Sequence, residues 1–148
     1  MGTVRRPGAA GLSNVLNADQ LARLRGLIPS PELDALVRYH PNLLIVGKES
    51  AVTPTVLALI PDFYANVCRW PDVPDRVDTE VNTTLIVPEV GCLTSASLDR
   101  LAEWLDTPFG RVQIVSTSST SLLERVQAGE FPASFYYRLN TVLLSVDQ

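Results

Sequence analysis

The stretch VGKESAVTPTV, residues 46–56, collects residue types that can grip an anion: one glycine, one lysine and the hydroxyls of Ser50, Thr53 and Thr55. Phosphate recognition in such a loop needs small residues whose backbone N–H groups curl round the oxygens, and a lysine to neutralise the terminal ones. Here Gly47 is the single glycine and Lys48 follows it directly, too early for that task. Thr53 followed by Pro54 reads instead as an ordinary helix start, a capping hydroxyl and a proline at the first helical position. Two further groups have chemical potential: PEVGC (88–92), with Glu89, and the hydroxyl run STSSTS (116–121).

The elements that must position these residues follow from periodicity. NLLIVG (42–47), FYANVC (63–68), TTLIVPEV (83–90), VQIVSTS (112–118) and NTVLLSV (140–146) are short, nearly continuous apolar runs, as strands covered on both faces should be. Helical patterns fill the gaps at 54–60, 95–106, 120–128 and 132–138. The alternation predicts an α/β fold, a parallel sheet sandwiched by helices with right-handed crossovers. In such a sheet a ligand meets the carboxyl ends of the strands, where GKESAVT, PEVGC and STSSTS all fall. Upstream, Asn17 is expected to cap a helix through Leu21, Leu24, Leu27 and Ile28, and Pro31–Tyr39 to form a second. Residues 1–16 read as a flexible leader, residues 17–148 as one domain, and RWPDVPDRVDTEVN (69–82) as an exposed loop.

Bulk composition narrows the partners. A chain of 148 residues, 46% hydrophobic and 19% charged, suits one domain with its own core. A net charge of −4 repels phosphate backbones and anionic lipid, so neither nucleic acid nor membrane is an expected partner. Cys68 and Cys92 read as free thiols in a reducing cytoplasm, and with the single His40 they are too few to complete a zinc site. His40, before a proline, reads as a surface or turn residue. Most of the aromatics are expected to cover the sheet, with some left exposed for partner binding.

The last third of the chain carries a specific resemblance. VQIVSTSSTSLLERVQAGEFPASFYYRLNTVLLSV (112–146), above all AGEF (128–131) and YYRLN (136–140), resembles a segment of bacterial sigma-54-dependent enhancer-binding activators, the NtrC-like family. TTLIVPEVGCLTSASLDRLAEWL (83–105), FYANVC and LLIVGKESAVTPTVLALI are similar to the preceding parts of the same AAA+ ATPase core. The resemblance covers roughly residues 40–146 and implies a three-layer sandwich with a five-stranded parallel sheet in the order 5-1-4-3-2, lacking the helical lid.

Position by position, the resemblance implies a degenerate site. In the phosphate loop, or Walker A motif, Gly47 keeps the first glycine, the later glycines fall on Ser50 and Val52, and the lysine falls on Thr53. Valine resists a positive φ and threonine carries no charge. In the Walker B motif the magnesium-binding aspartate falls on Pro88, while Glu89 survives, read as an acidic residue at the strand's solvent end. The sensor asparagine falls on Ser119, although Ser119 or Thr120 as a helix cap explains the hydroxyl run equally well. Of the two boundary arginines one falls on Pro132, and Arg138 is kept, expected in an ion pair or a contact between chains. Lys48, beside the strand end with no helix terminus to act from, reads as an exposed solvated charge. The family's long insertion carrying the GAFTGA loop has no counterpart in residues 69–82.

Three readings follow. The first is a non-catalytic, cytoplasmic pseudo-ATPase module that binds protein, either an intact AAA+ protein or itself, with no cofactor or metal and no contact with sigma-54. The second is a weak or altered nucleotide hydrolase with Lys48, Thr53, Glu89 and Arg138 as a rearranged site. The third is a nucleotide-free domain whose role belongs to a longer assembly.

Overall fold

The computed structural model describes residues 18–74, 80–107 and 111–146, without the side chain of Leu21. Along the chain run α1 (Ala18–Gly26), α2 (Ser30–Tyr39), β1 (Leu43–Val46), α3 (Glu49–Leu59), β2 (Asn66–Arg69), β3 (Thr83–Val87), α4 (Ser95–Leu105), β4 (Val112–Ser118), α5 (Leu122–Gln127), α6 (Ala133–Leu139) and β5 (Val142–Ser145). The sheet order is β2-β3-β4-β1-β5, the expected order read from the other edge, and every ladder is parallel. The leader and the Asn17 cap lie outside the described residues.

Strand pleating divides the core in two. Leu43 and Ile45 of β1, Ile86, Val115 and Leu144 pack with Ile28, Leu36, Val56 and Leu59, on the side of α1 to α3. Leu44, Leu85, Val87 and Ile114 pack with Leu101, Trp104, Leu122, Tyr136 and Leu139, on the side of α4 to α6. Adjacent residues of one strand thus serve opposite cores, which explains the unbroken apolar runs. Buried polar groups are tied in as well: the Thr84 hydroxyl donates to Gln113 Oε1 at 2.8 Å, and Gln113 Nε2 donates to the Pro41 carbonyl at 2.9 Å.

Several expectations are corrected. The strand expected at 63–68 lies at Asn66–Arg69, because Phe63 turns into the α1–α3 core after a 3-10 turn at Ile60–Asp62. The strand expected over 83–90 ends at Val87, where Glu89 adopts left-handed backbone (φ 47°, ψ 56°) and Val90–Cys92 forms a 3-10 turn. The segment after β2 is not wholly exposed. Trp70 is buried in the α4–α6 core with the Arg100 guanidinium 5.1 Å from its ring centroid. His40 does occupy a turn, ending α2 in left-handed backbone and stacking on Tyr64 at 4.3 Å.

The largest correction concerns α3. Thr53 is no cap and Pro54 is not at the first helical position: the helix begins five residues earlier than Pro54, at Glu49, with Pro54 inside it. A proline costs an interior helix one hydrogen bond. The carbonyl that loses its donor belongs to Ser50, which is exposed and open to water. The helix therefore tolerates the break and reaches back to the end of β1.

Candidate functional site

At the carboxyl end of the sheet a cleft of about 110 Å³ lies between the start of α3 and the ends of β2, β3 and β4. Gly47 enters it at close quarters. A Cβ at this position would collide with the Val146 carbonyl oxygen and lie 2.9 Å from its carbon, so only glycine lets β1 leave the sheet beside the end of β5. The Gly47 N–H donates to the Ser118 carbonyl at 3.0 Å, which continues the β1–β4 ladder by one residue.

The residues that follow do not form an open loop. Lys48 occupies the cap position of α3 (φ −62°, ψ 146°), so it does stand at a helix terminus, contrary to the sequence-based expectation, and it is exposed. Its carbonyl accepts the N–H groups of Ala51 at 2.9 Å and Val52 at 2.8 Å. Two of the donors that an open loop would present to an anion are thereby paired within the helix. Val52 points into the α1–α3 core and Thr53 lines the cleft, whereas Ser50 lines a different groove, beside α1 and β5.

The opposite wall carries Pro88, Glu89, Thr117 and Ser118. Glu89 is not a free carboxylate at a strand end. Its N–H donates to Thr117 Oγ1 at 3.1 Å, and its Oε1 accepts both the N–H and the hydroxyl of Ser119 at 3.2 Å. Neither Ser119 nor Thr120 caps α5. Ser121 does so, accepting the Glu124 N–H at 3.3 Å, while the Ser118 hydroxyl donates to the Thr120 carbonyl at 2.6 Å.

Two charged residues of the cleft, Arg69 and Glu49, are not among those singled out from sequence. Arg69, the last residue of β2, lines it together with Glu49 and Glu89, giving one cation and two carboxylates. Its position at the carboxyl end of a strand is the available signal, but in the sequence it reads as the start of the following loop. Arg138 lies elsewhere. Its Nη2 donates to the Leu105 carbonyl at 2.5 Å and pairs with Asp106 at 3.0 Å, and its own carbonyl accepts Asn42 Nδ2, at the amino-terminal end of β1. Gly47, Val52, Thr53, Pro88 and Glu89 thus meet at one cleft, Ser119 joins through Glu89, and Ser50 and Arg138 stand apart. No group of three or more His, Cys, Asp or Glu among the described residues is placed to hold a metal ion.

Comparisons with known proteins agree with this architecture. Among solved structures, NtrX from Brucella abortus in complex with ADP superposes with a TM-score of 0.60 at 13% identity, over 94% of this chain and 38% of that one. The P-loop NTPase domain of a sigma-54 transport activator from E. coli gives 0.59 at 14% identity, over 90% of this chain and 99% of that one. A RuvB mutant from Thermotoga maritima gives 0.53 at 14% identity, over 88% of this chain and 46% of that one. The chain thus spans about two fifths of the length of NtrX. No curated protein matches it in sequence. The family model described as the Sigma-54 interaction domain matches residues 59–148, which include Pro88, Glu89, Ser119 and Arg138 but not Gly47 to Thr53. With more than half of its length matched, and its sheet order that of the AAA+ core, the chain belongs to the Sigma-54 interaction domain family.

Proposed function

We propose that this chain is a non-catalytic AAA+-like module of the bacterial cytoplasm, a pseudo-ATPase that regulates by binding protein rather than by hydrolysing nucleotide. The observation that carries this reading is the start of α3 at Glu49, with the Ala51 and Val52 N–H groups turned back to the Lys48 carbonyl. A phosphate cradle works by leaving such groups unpaired and aimed at the ligand.

A magnesium nucleotide does not fit the residues present. The cleft measures about 110 Å³, below the roughly 300 Å³ at which small-molecule sites begin. Thr53 brings no charge to the position of the family's lysine, and Pro88 brings no ligand atom to that of its metal-binding aspartate. Arg69 is the one feature favouring a rearranged hydrolase, yet it shares the cleft with Glu49 and Glu89, so the lining carries a net negative charge that opposes a triphosphate.

The partner we infer is a protein, either an intact AAA+ protein of the same family or a second copy. Contact with sigma-54 is not expected, because β2 and β3 are separated by only residues 70–82. Among the described residues no helix is long and apolar enough to cross a membrane. Two measurements test the reading together: the nucleotide content of protein purified from its native host, expected to be negligible, and its mass in solution with and without an intact family ATPase, expected to rise on mixing or through self-association. Stoichiometric bound nucleotide would overturn it.

A further inference from the structure

The two edges of the sheet are treated differently. At the β2 edge the Arg69 carbonyl is taken by the Asp72 N–H at 2.8 Å, in an antiparallel bridge that turns the chain back at the end of the strand. The β5 edge carries no such bridge among the described residues. On its inner side, the Val142 N–H donates to the Asn42 carbonyl at 3.1 Å and the Val146 N–H to the Val46 carbonyl at 2.8 Å. Even-numbered residues of β5 therefore face β1, and Leu143 and Ser145 turn their N–H and C=O groups outward.

Beside this open edge runs a groove of about 670 Å³ between α1, α3 and β5. Leu24, Leu27, Ile28, Pro54, Leu144 and Val146 are among its lining residues, and Leu27 and Leu143 are 75% and 42% exposed. Charged residues make up 19% of the chain, yet among the described residues none lines this groove. Such a surface selects its partner. Across a two-fold axis each side chain approaches its own copy, so any ionisable group near the axis would meet a like charge. A strip without charge is suited to pairing with itself.

We propose that the β5 edge and its adjoining groove bind a second copy of this chain, the two β5 strands pairing antiparallel about an axis through Leu144. Leu143 of one copy then lies opposite Ser145 of the other, and the outward N–H and C=O groups of both residues satisfy each other in four hydrogen bonds. The two sheets become one continuous sheet, and the two grooves lie on the same face of it. The proposal deepens the interaction-module reading by naming a surface and an occupant, and it rests on that reading only in taking the chain to act through contacts. Nucleotide binding and dimerisation are separate readouts, so either can fail alone.

The discriminating variant is Ser145→Pro. Its outward N–H has no partner among the described residues of the protomer, so proline there leaves the fold intact while removing two of the four intermolecular bonds. Sedimentation equilibrium from micromolar to millimolar protein should show the natural chain approaching twice its 16.2 kDa mass, and S145P should weaken the dimer by about thirtyfold. Should S145P fail to fold, hydrogen exchange on the natural chain decides instead, with the Leu143 and Ser145 amides gaining protection as concentration rises. A chain monomeric throughout, a dimer that S145P leaves unchanged, or Leu143 and Ser145 amides that exchange freely in the dimer would each overturn the proposal.

Discussion

Glu89 and Ser119 are joined twice, the Glu89 Oε1 accepting the Ser119 N–H and hydroxyl at 3.2 Å each. A carboxylate engaged in this way stabilises the left-handed backbone on which it sits, and it fastens the turn after β3 to the turn after β4. The link gives Glu89 a structural part in holding these two turns together.

Glu89 should accordingly be sensitive to backbone preference as well as to charge. Glu89→Val loses both bonds and places a β-branched residue at φ 47°, so it should destabilise the fold by about 2–3 kcal/mol. Glu89→Gly loses the same bonds but relieves the conformation, and should stay within about 1 kcal/mol of the parent. Urea denaturation of the pair gives the comparison.

Gly47 tolerates no side chain. Gly47→Ala drives a methyl group into the Val146 carbonyl and should cost about 3 kcal/mol or more, or leave the protein unfolded, as read by thermal melting.

Pro54 marks a place where the sequence signal and the structure part. A Thr-Pro pair before an apolar run reads as a cap and first helical residue, and nothing local shows that the helix continues back to Glu49. The cause is tertiary: Val52 and Val56 fill the α1–α3 core, and that burial outweighs one missing hydrogen bond. If so, Pro54→Ala should restore the bond to Ser50 and raise stability by about 1–2 kcal/mol. Thr53→Lys alone should not confer nucleotide binding, because the neighbouring N–H groups remain committed to the helix.

What could be read from residues alone follows the same division. The apolar runs 83–87 and 112–118 are unbroken because both faces are covered, and the second is a strand over its full expected length. Turns were less legible. Capping by Ser121 rather than Ser119 depends on where Glu89 anchors the loop, and the displacement of β2 depends on Phe63 entering the core, both set by contacts distant in sequence. Arg69 is not legible as a cleft residue in the sequence, because only the sheet places it beside Glu49 and Glu89.

Arg138 and Asp106 form an exposed pair, with side chains 44% and 68% accessible. Arg138→Ala should therefore cost less than about 1 kcal/mol of stability. A larger loss of partner binding than of stability, measured on the same preparation, would assign the residue to an interface.

The two thiols should separate in reactivity. Cys92 is exposed, whereas Cys68 is partly buried and burial raises its pKa, leaving less of the reactive thiolate at neutral pH. Timed alkylation read by mass spectrometry should label Cys92 first, and raising the pH should narrow the gap.

Helix α3 pairs the Ala51 and Val52 N–H groups that a phosphate loop would leave open, and calorimetric titration of the folded chain with magnesium and ATP shows whether that removes nucleotide binding. No saturable heat and no upward shift in melting temperature are expected at millimolar ligand. Saturable one-to-one binding accompanied by a rise of several degrees would contradict this expectation.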